Sequence, residues 1–260
     1  MRTPSQCQSA VRRRLVRWIS PDVPSSAPLA SYYPQQQTCQ IPQLWFLFEQ
    51  FFGRRDTGQF VEIGANDGVY VSNTWGLAHR GWRGLMVEPV AELAAACASN
   101  HMHHPGVITV NSAIGRPGVS ALQLSVAGPL TTANAAVLDE YKTLYWARKA
   151  LTKRTVVVPC TTLDALLEEH GIATGFEVLV IDVEGFETEV MSGFDLPRWQ
   201  PQMIIIELAD THPDLASTAI KDHALARLIV SAGYEVAYKD SINTVFVSSH
   251  VWDAVRDSAS

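Results

Sequence analysis

From Phe60 onward, short apolar runs of strand length alternate with stretches of helical character. "QFVEIG" predicts a strand, "SNTWGLAHRG" a helix ended by Gly81, and "GLMVEP" a second strand stopped by Pro89. "VAELAAACASN" predicts a helix with small residues on one face, and "GVITVNSAIG" a third strand. Such alternation argues for a parallel sheet covered by helices on both faces. "VSALQLSVAG" then breaks the rhythm with period-two character, an antiparallel excursion, and "AAVLDEYKTLYWARKAL" adds a helical run. The rhythm returns with "RTVVVPCTTLDALLEEHG", a strand and a helix capped by Thr161 or Thr162. It continues with "EVLVIDVEGFETEVMSGF" (strand, acidic turn, helix), the apolar strand "QMIIIEL", the helix "AIKDHALARLIVSAG", and a closing hairpin of "YEVAYKD" and "INTVFVS".

Upstream the pattern differs. "LWFLFEQFF", Leu44 to Phe52, is apolar on nearly all sides and predicts a buried helix. Residues 20–43 are rich in Pro, Ser and Gln and read as irregular. Arg12, Arg13, Arg14 and Arg17 alternate with Leu15, Val16, Trp18 and Ile19 as in a short basic amphipathic helix. A solvated terminal helix is the expectation there, with weak membrane-surface or partner contact as the alternative. The division expected is a lead-in at 1–43, a domain at 44–250 and a tail at 251–260. An insertion at about 116–155 is a candidate substrate lid, because long loops carry specificity.

Composition narrows the function classes. The 260 residues are 47% hydrophobic and 18% charged, which suits a globular core. A net charge of −6 gives no general attraction to nucleic acid. Cys7, Cys39, Cys97 and Cys160 form no Cys-x-x-Cys pair and read as reduced thiols, and no run approaches the roughly 20 apolar residues of a membrane span. With no apolar region after the basic start, a secretory signal is not expected, and the localisation expected is cytoplasmic.

In a parallel sheet, ligands sit beyond the carboxyl ends of the strands. There the chain places Gly64, Asn66, Asp67 and Gly68, then Glu88, then Asn111, Ser112 and Ala113, then Asp182 and Glu184, then Glu207 and His212. Glu88 lies 20 residues past Gly68, where an acid accepts hydrogen bonds from both ribose hydroxyls of a nucleoside, or else is a solvated strand end. The turn is not the Gly-x-Gly-x-x-Gly of dinucleotide sites, and Glu62 and Asp67 would repel a pyrophosphate. They suit a cationic ligand without phosphate, and S-adenosylmethionine, with its ammonium and sulfonium, is one.

"FVEIGANDGVYVSNT", "GWRGLMVEP", "TTLDALL", "VLVIDVEGFETEVMSGF" and "MIIIEL" together resemble the FkbM-type S-adenosylmethionine-dependent methyltransferases, over roughly Ser31 to Ser248. The resemblance implies an α/β, Rossmann-like fold: a mainly parallel seven-stranded sheet, helices on both faces, an antiparallel last strand. It implies O-methylation of a saccharide or secondary metabolite. Glu62, Gly64, Asn66, Asp67 and Gly68 match the first cofactor motif, with Glu62 near the methionine end and Gly64 letting the backbone approach the cofactor. Ser72 and Asn73 match residues near the methionyl carboxylate, Glu88 with Pro89 the ribose acid, and Ser112 and Ala113 the adenine edge. Asp182 and Glu184 match the segment facing the methyl group. The lead-in "SYYPQQQTCQIPQ" departs from the family pattern.

A hydroxyl becomes a competent nucleophile as its proton leaves, and Asp182, Glu184, Glu207 and His212 are the candidate bases. Asp182 follows the apolar "VLVI", so desolvation should raise its pKa; the alternative is that it caps a helix starting at Gly185. Two or three of these carboxylates could instead hold Mg²⁺, though no residue is assigned as a metal ligand. "HMHH", His101 to His104, reads as a surface turn at the opposite edge. Of Trp75, Trp82 and Trp146, the last is the best candidate to stack on a sugar, the others reading as core. The alternative function is a non-catalytic Rossmann-like module that binds a nucleoside or a partner.

Overall fold

The computed structural model describes residues 32–36 and 39–258. The basic stretch around Arg12–Arg17, and Cys7, lie outside the described residues. α1 (Leu44–Phe52) precedes β1 (Gln59–Ile63), α2 (Trp75–His79), β2 (Arg83–Val87), α3 (Ala91–Asn100) and β3 (Val107–Val110). Then come β4 (Ala113–Ile114), β5 (Ala121–Ser125), α4 (Ala135–Thr143), β6 (Thr155–Thr161) and α5 (Leu163–Glu169). The chain continues through β7 (Val178–Ile181), α6 (Glu187–Met191), α7 (Leu196–Trp199), β8 (Met203–Glu207), α8 (Ala219–Ser231), β9 (Tyr234–Lys239), β10 (Asn243–Ser248) and α9 (Ser249–Ser258).

Seven strands form one sheet in the order β3-β2-β1-β7-β8-β10-β9. β3, β2, β1, β7 and β8 pair in parallel, and β10, the last strand of the chain, is antiparallel to both its neighbours. This is the Rossmann-like sheet expected. Alternation along each strand divides the core. Val61, Ile63, Leu179, Ile181, Ile204 and Ile206 face α5, α6 and α8, while Phe60, Val178, Val180, Met203 and Ile205 face α1, α2 and α9.

Three segments differ from the sequence reading. "GVITVNSAIG" is two strands: β3 pairs with β2, and β4 joins a second sheet ordered β4-β6-β5. The switch falls at Asn111, whose Nδ2 donates to the Glu88 and Pro89 carbonyls, both at 2.9 Å, and so ties the chain back to the end of β2. α1 is one-sided, burying Leu44, Phe48 and Phe51 and leaving Phe46 exposed. Residues 251–258, expected as a tail, belong to α9, which buries Val251 and packs Trp252 edge-on against Phe51 at 4.8 Å between ring centroids.

Candidate functional site

The strand order reverses beside β1: β2 and β3 lie on one side, β7 and β8 on the other. At such a point the loops leaving β1 and β7 diverge and open a crevice. A cleft with an open mouth lies there, the place where small-molecule sites form in such sheets. Gly64, Asn66, Glu88, Pro89, Ser112, Ala113, Asp182 and Glu184 all line it. Leu93, Ile114, Leu122, Leu124 and Phe186 supply apolar wall. The second sheet, the residue before it and the loop after β5 thus roof the cleft.

The turn after β1 is built from backbone. The Gly64 and Ala65 amides both donate to the Val87 carbonyl, at 2.9 and 3.0 Å. Asn66, at φ 51°, donates its N–H to Glu88 Oε2 at 2.9 Å, and Val90 N–H donates to Glu88 Oε1 at 2.8 Å. Glu88 therefore locks the turn to the end of β2. Burial lifts its pKa to about 7 against the pull of those two amides.

The turn is also shaped by its own packing. A Cβ on Gly64, which lines the cleft, would lie 1.7 Å from the Asp182 carbonyl oxygen, so the approach of β7's end by itself requires the glycine. Asp67 does not line the cleft. Its Oδ1 accepts from the Val69 and Tyr70 amides at 2.9 and 2.7 Å, an Asx turn. Gly68 also sits outside the lining; a Cβ there would meet Cys97 Sγ and the His101 ring at 2.8 Å.

Glu62 points into the α1, α2 and α9 side of the sheet, with a residue exposure of 4%. Its carboxylate accepts from Thr74 Oγ1 at 2.7 Å, Asn73 N at 3.3 Å and Ser72 Oγ at 3.4 Å. It is an anchor for the 72–74 loop. Ser72 and Asn73 line a separate crevice with Tyr33, Cys39 and Trp45. Burial raises the Glu62 pKa from 4.5 to about 7, with the three donors opposing. A raised carboxyl pKa contributes stability that is fully present below about 4.5 and lost as pH rises through about 7. The shift corresponds to about 3 kcal/mol. The ligand-free protein should therefore unfold at a lower temperature at pH 8 than at pH 5.5, and Glu62→Gln should flatten that dependence in thermal scans. An equal slope in the variant would place the titration elsewhere.

The acids beyond β7 and β8 converge. Asp182, Glu184 and Glu207 bring carboxylate oxygens within 4.8 Å of one another. Glu184 and the following Gly185 both have left-handed backbones, φ 54° and 85°, which turns the Glu184 side chain back on the cluster. Burial raises all three pKa values, and for Glu184 and Glu207 the neighbouring charges add to it. The interaction between Glu207 and Asp182 works in opposite senses on the two, raising Glu207 and lowering Asp182. Asp182 does not cap a helix: the N-cap of α6 is Phe186, without a side-chain cap. Glu187, itself buried, instead ties down the turn before α6, accepting on Oε1 from the Val183 and Gly185 amides at 3.1 and 3.2 Å.

His212 stands apart from the cluster. Its Nδ1 accepts from Asp214 N at 3.0 Å, its ring lies 6.2 Å from that of Trp146, and it does not line the cleft. His101 of the "HMHH" run is buried rather than on a surface turn, with Nε2 2.8 Å from the Gly68 carbonyl. Trp82 is core, Trp75 stacks on His79, and Trp146 is half exposed beside Tyr141.

Sequence reasoning missed Gln40 and Tyr141. Gln40, from the lead-in, hydrogen-bonds Asp182 and accepts from Asn73 Nδ2 at 3.4 Å, so it bridges the 72–74 loop to the acids. Tyr141, from the insertion, donates its hydroxyl to Glu184. Neither carries a spacing signal in the sequence.

No curated protein matches the chain. Among solved structures, an O-methyltransferase from Bacillus cereus in complex with S-adenosylhomocysteine is 14% identical, covering 95% of this chain and 93% of that one with a TM-score of 0.44. The O-methyltransferase TomG from Streptomyces achromogenes, in complex with S-adenosylmethionine, is 15% identical, covering 95% and 91% with a TM-score of 0.42. Residues 62–236, more than half of the chain, match the family described as the methyltransferase FkbM domain. They span the turn after β1, Glu88 and all three clustered acids, and the chain belongs to the FkbM methyltransferase-domain family.

Proposed function

We propose that this methyltransferase transfers a methyl group from S-adenosylmethionine to a hydroxyl oxygen on a saccharide or secondary metabolite. The observation that carries the reading is the acidic make-up of the cleft: Glu88, Asp182 and Glu184 line it, and no Lys, Arg or His among the described residues does. Such a wall repels a diphosphate and attracts an ammonium or sulfonium. Glu88, at one end, keeps lone pairs for ribose hydroxyls beside those already taken by Asn66 and Val90. The apolar Leu93 and Ile114 suit the flat face of an adenine.

When bound, the cofactor supplies an electrophilic methyl carbon on a positively charged sulfur. The chain's own part is to place the acceptor and take its proton. Asp182 is the base: it stands in the cleft wall beside Glu184 and Glu207, and burial raises its affinity for a proton. Glu184 flanks the same space. Roofing by the second sheet excludes water from the transfer.

A second reading concerns Mg²⁺. Three carboxylates within 4.8 Å form an oxygen donor set of the kind this ion takes, and Glu207 Oε2 is buried with no hydrogen-bond donor. Loss of activity on chelation and recovery with added Mg²⁺ would support it.

Calorimetry with S-adenosylhomocysteine and with NAD⁺ tests the cofactor. The first should bind at micromolar Kd and the second far more weakly; equal binding would sink the reading. Glu88→Gln should weaken S-adenosylhomocysteine binding by about 1–3 kcal/mol, the scale for hydrogen bonds to charged groups. A variant that binds normally would limit Glu88 to the turn. Methyl-labelled cofactor incubated with a cell extract, followed by mass spectrometry, identifies the acceptor.

A further inference from the structure

The insertion does more than roof the cleft. Thr132 Oγ1 donates to the Glu184 carbonyl at 2.7 Å and is itself buried. Asn134 Nδ2 donates to the Gly185 carbonyl at 2.8 Å, while its Oδ1 caps α4 by accepting from Ala136 N at 3.0 Å and Val137 N at 3.4 Å. Two turns further along α4, Tyr141 gives its hydroxyl to the Glu184 carboxylate. Val137 closes the fit from the same helix: a Cβ on Gly185 would lie 2.5 Å from its Cγ2.

All of these contacts fall on two residues. Those two, Glu184 and Gly185, are consecutive and left-handed. Glycine adopts that backbone freely; glutamate does not, so Glu184 must be held there by its surroundings. From the other side Glu187 takes the Val183 and Gly185 amides. Inside that inner grip, the insertion supplies donors to the two carbonyls and to the carboxylate. Thr132 also accepts from Asn134 N at 2.9 Å, so the residues act as one connected unit.

We propose that Thr132, Asn134 and Tyr141 are positioning residues, a clamp by which the insertion holds Glu184 in a strained backbone with its carboxylate turned onto Asp182 and Glu207. Its catalytic meaning rests on the methyl-transfer reading above; its structural meaning does not. Released, Glu184 would return to an ordinary backbone and its carboxylate would leave the cluster. The insertion that covers an acceptor thereby also sets the acid beside it.

Hydrogen exchange on the full chain, read on a peptide covering 180–188 and on one covering β8, tests the clamp. Thr132→Val and Tyr141→Phe should each speed exchange in the first peptide at least tenfold and leave the β8 peptide unchanged. Thr132→Ser, which keeps the donor, should match the wild type. S-adenosylhomocysteine affinity should stay within threefold throughout. Labelled-methyl transfer in an extract that the wild type methylates should fall tenfold or more in Thr132→Val and in Tyr141→Phe, and not in Thr132→Ser. Unchanged exchange, equal acceleration in β8, or a Ser substitution as damaging as Val would overturn the clamp. If the wild type neither binds S-adenosylhomocysteine nor transfers methyl, the function reading fails and the exchange pattern alone decides the clamp.

Discussion

Asp182→Asn should lower methyl transfer about 10²–10⁴-fold, the usual worth of a general base, and leave S-adenosylhomocysteine affinity within threefold. The substitution keeps shape. Asp182 N still donates to the Ile63 carbonyl at 3.0 Å, holding β7 to β1, and the amide has nearly the volume of the carboxylate. What disappears is the ability to take a proton. A third effect separates a base from a structural acid: the variant removes a charge from a crowded acidic cluster, so the ligand-free protein should unfold at a higher temperature than wild type. Initial rates with labelled cofactor, calorimetry and a thermal scan read the three quantities. Full activity in an enzyme indifferent to chelators would move the base to Glu207 or Glu184, which share the space, or to His212.

The strands were legible because their signal is local. Leu179–Ile181 and Ile204–Ile206 are apolar on both sides, as a parallel sheet between helices requires, and Phe60, Val61 and Ile63 are apolar around the single acid Glu62. Glu88 was legible because distance along the chain from the glycine turn fixes its place at the end of the next strand. What stayed hidden depends on which way a side chain points. Glu62 looks like a cradle residue in the sequence, but strand alternation turns it away from the cleft and onto Ser72, Asn73 and Thr74. Tyr141 and Gln40 reach the acids from segments 43 and 142 residues distant from Glu184 and Asp182 in the chain, and no spacing rule covers such contacts. His101 looked like turn material until the Gly68 carbonyl was found against its ring. The hidden residues share one trait: each is polar, and its meaning lies in a partner supplied by another part of the fold.

Gly64→Ala should be the most damaging small substitution in the site. Its Cβ would stand 1.7 Å from the Asp182 carbonyl oxygen, at a backbone φ of 88° that alanine resists. That oxygen belongs to the backbone where β7 ends, so no side-chain rotation relieves the overlap. The ends of β1 and β7 would have to part. Overpacking of this kind costs about 1–3 kcal/mol, and the left-handed backbone adds about 1–2 kcal/mol. A combined loss of about 2–5 kcal/mol lowers the unfolding midpoint by roughly 4–20 °C in a domain of this size. Gly118→Ala is the control: φ there is 83°, and nothing lies within 4 Å of the added carbon. It carries the backbone cost alone, about 1–2 kcal/mol. The two variants should therefore differ clearly in thermal scans, and equal losses would show that the β1–β7 junction yields. Parting those ends also displaces Asp182 from Glu207. Any folded Gly64→Ala protein should then lose methyl transfer more steeply than cofactor affinity, while Gly118→Ala should keep both.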